Sequence, residues 1–201
     1  MEIIIGTEIV DGMRLGHTWY EVGVLEKLIT TYKPGVFVEI GVHEGVLSRH
    51  LITKFNKDLF YIGIEYNCQL VRPETRAYYN AKQNSMLLCA DCFSDHTAST
   101  IRLIAGNKKV FYYCDNGNKP QELLFYSRYV KPNDLLFAHD FSDGTRSGEG
   151  LPDNLAAEVL PKDIEFLVND PTFARIDYQL LEHTRIVGFR KLDEIDSVNL
   201  A

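Results

Sequence analysis

Five short apolar runs punctuate the chain, at 36–42, 59–66, 85–91, 109–115 and 134–140. Each is apolar at successive rather than alternate positions. That is the pattern of strands buried on both faces, as in a parallel sheet covered by helices. The intervening segments 45–56, 72–83, 95–105 and 119–130 carry helical spacing. Pro73 can open the second of them, although its apolar face is thin. Ahead of the first strand, His17 to Tyr32 places Val22, Leu25 and Ile29 on one helix face. Past residue 140, a polar stretch leads to a helix expected at 153–168 and then to strands at 173–181 and 185–191. A short turn around His183 would make those two an antiparallel pair. The order predicts an α/β fold of five parallel strands and a C-terminal antiparallel hairpin, with helices on both faces. No repeat or low-complexity segment interrupts it, so residues 1–201 are read as a single domain, with 1–34 as an N-terminal helical cap.

Composition narrows the function. A chain of 201 residues can bury a substantial core. No apolar run approaches the roughly 20 residues that span a bilayer, and MEIIIGTEIVDGMR lacks the basic-then-apolar order of a secretion signal. The expectation is a cytoplasmic protein with no membrane partner. A net charge of −7, with no basic cluster beyond pairs such as Lys108 and Lys109, argues against nucleic acid as a partner. Cys89 and Cys92 spell CxxC, a spacing that zinc sites use. Because Cys89 and Cys114 fall in predicted buried strands, the four cysteines, Cys68 included, are read instead as packing thiols in a reducing cytosol.

Chemistry first shows in Val36 to Leu51, VFVEIGVHEGVLSRHL. An apolar strand stops at Glu39, glycines follow at 41 and 45, and a helix begins. Glycine serves where the backbone takes conformations that a Cβ obstructs and where a ligand must approach the main chain. The helix that follows points its N-terminal amides at the same crevice. The spacing is E-x-G-x-x-x-G, with His43 in the place of the middle glycine of GxGxxG, so a dehydrogenase is the least favoured reading. The next strand, within LFYIGIEYN, ends in Glu65, whose carboxylate can accept hydrogen bonds from both ribose hydroxyls.

This pattern resembles motif I of the class I S-adenosylmethionine-dependent methyltransferases, in which the acid and first glycine lie beside the methionine part of the cofactor. The resemblance runs over nearly the whole chain. It implies a Rossmann-like seven-stranded sheet, S-adenosylmethionine as cofactor, and cofactor-binding roles for Glu39, Gly41, Gly45 and Glu65. It further implies that Asp91, in LLCADCFSD, stands near the adenine amine. Capping of the helix that begins near Asp95 is the alternative for Asp91. Cys92 and Phe93 could pack against the purine or belong to the core.

Ligands of open α/β sheets gather at strand carboxyl ends near the topological switch. There FYYCDNGNK supplies Asp115, Asn116 and Lys119, and LLFAHDFSDG supplies His139, Asp140 and Asp143. Asp115 and Asp140 could hold one hard divalent cation, Mg2+ or another, completed by His139 or Asn116. Such an ion lowers the pKa of an acceptor hydroxyl and orients its oxygen. Here the likeness narrows to the small metal-dependent O-methyltransferases, especially the group of macrocin-type sugar O-methyltransferases and cephalosporin hydroxylase-like proteins. Those families carry an acid after strand four, matched by Asp115, and an acidic pair after strand five. In this chain the pair is His139 and Asp140. The histidine nitrogen suits magnesium less well, and it permits a second mechanism with His139 as a metal-free general base of near-neutral pKa. A structural His139 is a third reading.

The resemblance thus implies O-methylation of a small hydroxylated acceptor, with Asp115, His139 and Asp140 as catalytic or metal-binding residues. Hydroxylase-like or other non-methyl chemistry, and an inactive binding module, are the alternatives. A homo-oligomer is left open. The polar stretch from Phe141 to Asn154, with Gly144, Gly148 and Gly150, reads as a lid over the acceptor or as an ordinary surface loop. Arg146 in it could pair with a substrate carboxylate or phosphate. Trp19 and Glu21 could cover the cofactor, although a core Trp19 is preferred.

Overall fold

A short antiparallel ladder, β1 (Ile9–Val10) with β2 (Met13–Arg14), precedes helix α1 (Trp19–Tyr32). The structure is a computed structural model that describes residues 9–10, 13–143, 158–176, 181 and 184–193. Helix α1 starts at a reciprocal cap. The Glu21 amide donates to Thr18 Oγ1 at 3.2 Å and the Thr18 amide donates to Glu21 Oε2 at 2.9 Å.

Strand and helix then alternate through β3 (Val36–Ile40), α2 (Val46–Lys54), β4 (Phe60–Glu65), α3 (Pro73–Ala81), β5 (Ser85–Cys89), α4 (Asp95–Ala105), β6 (Val110–Cys114), α5 (Lys119–Tyr126) and β7 (Leu135–Ala138). Helix α6 (Glu165–Val168) and strands β8 (Phe173–Arg175) and β9 (Val187–Lys191) follow. The seven-stranded sheet runs β5-β4-β3-β6-β7-β9-β8. The first five strands of that order are parallel, and β9 is antiparallel to both β7 and β8. From β3 the chain winds outward to β5, then returns to the other side of β3 as β6. That reversal opens a crevice above the carboxyl ends of β3 and β6.

The pleat sorts side chains into two cores. Val36, Val38 and Ile40 join Ile62, Ile101, Tyr112, Leu123 and Tyr126 on the face covered by α4 and α5. Phe37, Tyr61, Phe111, Tyr113 and Phe137 meet Leu25, Leu28, Leu47 and Leu51 on the face covered by α1 and α2. Among the described residues, no helix is long and apolar enough to cross a membrane.

Several sequence expectations are corrected. Strand β5 is not covered on both faces: it is the sheet edge, half exposed along its length. There Cys89 forms a disulfide with Cys68 in the loop after β4, so these two are not packing thiols. Cys92 and Cys114 are free and buried. Trp19 is 42% exposed, its ring edge-on to His50, rather than in the core. The helix expected at 153–168 is, within the described residues, a 3-10 turn at Pro161–Ile164 leading into α6. Pro161 disfavours helical backbone at Leu160, and Val159 instead bridges Phe141 in parallel. The final strands pair antiparallel as expected, but β8 ends at Arg175 and β9 begins at Val187. Their link is therefore longer than a tight turn, and it buries Ile176, Leu181 and Ile186. His183, Arg146 and most of the expected lid lie outside the described residues; of 141–154 only 141–143 are inside, with Phe141 buried.

Candidate functional site

The glycine turn after β3 is built around close approach. Gly41 has φ +93°, and a Cβ there would lie 2.7 Å from the Asp115 carbonyl oxygen, so the loop after β6 can pass directly over it. Gly45 has φ +85° and sits against the Thr75 side chain. We expect Gly41→Ala to destabilise the fold by at least about 2 kcal/mol, because left-handed strain and a backbone clash add. An unchanged urea midpoint would show that the loop after β6 gives way freely.

Between these glycines, His43 is itself left-handed (φ 50°), and its amide donates to Glu65 Oε2 at 3.1 Å. The Asn67 amide donates to Glu65 Oε1 at 3.0 Å. Glu65 thus ties the turn after β3 to the loop after β4 with its carboxylate at the sheet's carboxyl end. Glu39 lies on the same face of the sheet, one step lower: it stands across the ladder from Gly63, two residues before Glu65. It is buried beneath the turn, where Ser48 Oγ donates to it, and burial pushes its pKa up to about 8 despite that hydrogen bond. Its side chain supports the turn from below.

Asp91 is exposed after β5 and accepts from the Phe93 amide at 2.9 Å, forming an Asx turn. Ser94, not Asp91, is the cap residue of α4. Cys92 is buried and its thiol is pushed up to about 11 by burial, whereas Phe93 is 38% exposed beside Asp91.

Across the crevice, elements distant in sequence bring charges together. Asp115 follows β6, His139 and Asp140 follow β7, Lys119 opens α5, His17 precedes α1, and Glu21 lies in the first turn of α1. His139 Nδ1 is 3.2 Å from Asp115 Oδ1, and His17 Nε2 is 3.2 Å from Asp115 Oδ2. The two imidazoles stack at 4.4 Å between centroids. His139 Nε2 is 3.2 Å from Glu21 Oε1, which also accepts from the Arg185 amide at 3.2 Å. Burial alone would lower the His139 pKa. The charges and hydrogen bonds of Asp115 and Glu21 outweigh it and raise the value to about 10. Burial would likewise raise Asp115 and Glu21, but the histidines hold both well below the usual carboxylate range. Without a cation, these partners favour the charged imidazole of His139 and raise its pKa above the near-neutral range that the metal-free general-base reading assumes.

Asp140, left-handed at φ 59°, pairs with Lys119 Nζ at 3.0 Å and Arg185 Nη1 at 2.5 Å. Lys119 also meets Glu158 at 2.7 Å and Asp115 at 3.7 Å. The expected trio is thus neighbouring, with His139 Nδ1 3.5 Å from Asp140 Oδ1, yet Asp140 faces two cations. His17, Arg185 and Glu158 went unnoticed in the sequence, where a lone histidine ahead of a helix carries no motif.

The residues fit a cation on two counts. His17, Asp115 and His139 offer ligand atoms that all lie within 4.8 Å of one another. The distal ring nitrogens are also anchored, His139 Nε2 on Glu21 and His17 Nδ1 on the Leu15 carbonyl oxygen at 3.1 Å. With a proton on its Nε2, His139 Nδ1 aims a lone pair at Asp115, which requires a proton or cation between them; His17 Nε2 lies near Asp115 and also 3.0 Å from the Tyr113 hydroxyl. Anchoring of this kind is how metal-ligating histidines are oriented.

The doubly wound sheet closed by an antiparallel hairpin defines the class: this is the fold of the class I methyltransferases. Solved structures carry the likeness. CmcI-N160 in its apo form superposes with TM-score 0.63 at 13% identity, over 92% of this chain and 76% of that one. Cofactor-bound Rv0187 from MTB gives 0.61 at 13%, over 90% and 84%. The O-methyltransferase TomG from Streptomyces achromogenes, involved in tomaymycin synthesis and solved in complex with SAM, gives 0.56 at 15%, over 86% and 80%. No protein-family model and no curated protein sequence matches the chain. The matched structures include O-methyltransferases, and at these identities they show the fold.

Proposed function

We propose that the protein is an S-adenosylmethionine-dependent methyltransferase acting on a hydroxyl of a small acceptor. The observation that supports this reading is the Glu65 carboxylate, clamped by two amides at the end of β4 beside the glycine turn, with the His17, Asp115 and His139 cluster gathered at the end of β6 on the other side of β3. The cofactor supplies an electrophilic sulfonium methyl. Glu65 would accept from its ribose hydroxyls and Asp91 from its adenine amine, while Gly41 and Gly45 would shape the turn that borders it. Glu39 keeps the turn in shape, and Cys92 and Phe93 back the adenine side.

A divalent cation would add Lewis acidity toward the acceptor oxygen. His17 Nε2, Asp115 and His139 Nδ1 would hold it, and two imidazoles with one carboxylate favour borderline transition ions over magnesium. Asp140, fixed by Lys119 and Arg185, keeps the neighbouring charges in place. The same donor set also favours one other reading, hydroxylation of the acceptor, because two histidines and a carboxylate can serve ferrous iron in oxygen chemistry.

Calorimetric titration tests the proposal. S-adenosylhomocysteine should bind with micromolar affinity, and Zn2+ or Co2+ should bind where Mg2+ gives no heat. His17→Ala should lose the transition ion and keep S-adenosylhomocysteine. No heat with S-adenosylhomocysteine would sink the methyltransferase reading. An acceptor gaining one oxygen, given ferrous iron, dioxygen and a reductant, would install the other.

A further inference from the structure

The disulfide Cys68–Cys89 occupies a place that neither sheet nor core requires. Cys68 lies in the loop that begins at Glu65, three residues further on. Cys89 is the last residue of β5 and stands directly across the ladder from Glu65, and the amide of the next residue, Ala90, donates to the Glu65 carbonyl at 3.2 Å. Asp91 follows at once. The bridge therefore ties together the two loops that present Glu65 and Asp91. Apart from the bridge, the first loop is held by Arg76 Nη1 donating to the Cys68 carbonyl at 3.3 Å and by buried Val71, and the second by Thr97 Oγ1 donating to the Asp91 carbonyl at 2.8 Å, so the disulfide is the covalent link between the two loops. Strand β5 pairs on one side only, with β4, and Tyr66, Leu70 and Phe93 around it are 76%, 50% and 38% exposed. Cys89 itself is exposed and Cys68 half-buried, so a thiol can reach the bridge, whereas Cys92 and Cys114 are shut away.

We propose that Cys68–Cys89 is a reversible redox modification site that sets the affinity of the adenosine pocket, its reaction partner being a dithiol reductant. This rests on the reading of Glu65 and Asp91 as adenosine contacts. In the forward reaction a reductant thiolate attacks the Cys89 sulfur, and Cys68 leaves as a thiolate that takes up a proton. The reductant's second thiol then attacks the mixed disulfide and releases Cys89 in the same way. One protein S–S bond breaks, one S–S bond forms in the reductant, and two protons and two electrons pass to the protein. Freed of the bridge, the loop from Glu65 to Val71 no longer holds the Asn67 amide on Glu65, and binding must reorder it.

The test is titration of the full chain with S-adenosylhomocysteine after treatment with oxidised glutathione and, in parallel, with dithiothreitol. Thiols are counted in denaturant, and circular dichroism checks the fold. Two of the four cysteines should titrate in the oxidised form and all four in the reduced form, with an affinity about tenfold weaker after reduction. Cys68→Ser with Cys89→Ser should bind like the reduced wild type and ignore dithiothreitol, and restoring oxidant should restore affinity only in the wild type. Four titratable thiols after oxidation, or equal affinity in the two forms, would overturn the switch alone. An oxidised protein that binds no S-adenosylhomocysteine would overturn the switch and the methyltransferase reading together.

Discussion

Glu65→Ala is expected to weaken S-adenosylhomocysteine binding by a hundredfold or more. The carboxylate already accepts from the His43 and Asn67 amides and has further lone pairs to offer at the crevice. Two added hydrogen bonds from ribose hydroxyls to an ionised acceptor contribute about 1.5 to 3 kcal/mol each. Losing both removes at least about 3 kcal/mol, or some two decades in Kd. The substitution also releases the turn between Gly41 and Gly45 from the loop after β4, which adds to the loss. Glu65→Gln keeps the shape but only one acceptor oxygen, so its NH2 must face the His43 or the Asn67 amide; it should lose about tenfold in affinity and melt below the wild type, but less so than Glu65→Ala. If Glu65→Ala, shown folded by its melting curve, binds within threefold of the wild type, Glu65 is a structural clamp and the cofactor assignment fails with it.

The parts of this molecule written in local pattern were legible. Each of the five apolar runs is a parallel strand, and in β3, β6 and β7 the consecutive apolar residues are buried throughout, the signature of a covered strand; α4 occupies 95–105 as its spacing predicts. The glycine turn was legible because Gly41 and Gly45 mark positions a Cβ cannot occupy, Gly41 against the backbone after β6 and Gly45 against the Thr75 side chain. What the pattern could not show was which strand lies at the edge. Ser85–Cys89 has an apolar middle like its neighbours but pairs on one side only, and that is why Cys89 could bond to Cys68. The expectation of a reducing cytosol leaned on buried thiols, and half of them are joined.

The charged centre was half legible. Asp115, His139 and Asp140 could be read as neighbours because they end adjacent strands. His17 and Arg185 reach them from the two ends of the chain, and no local spacing announces contacts between residues so far apart in sequence. The consequence is chemical: nitrogen from His17 joins the cluster, while Asp140 answers Lys119 and Arg185.

Asp115→Ala should be the most destabilising change at this centre, and pH should reveal why. The carboxylate is shared by His17, His139 and Lys119 in the interior, and removing one partner of buried charges costs about 3 to 5 kcal/mol. With a chelator present, two titrations shape that cost. His139 is raised from 6.5 to about 10, so its pairing contributes fully below pH 6.5 and is lost as pH climbs toward 10. Asp115 is held well below its ordinary 3.8, so its contribution is present above that value and is lost as pH falls further. The stability gap between wild type and variant should therefore be widest between about pH 4 and 6.5 and narrow by pH 10. Urea unfolding at pH 5.5, 8 and 10 measures it. A gap that stays constant across that range would mean that His139 is not paired with Asp115 as a charged group, and the centre would then have to be described as neutral.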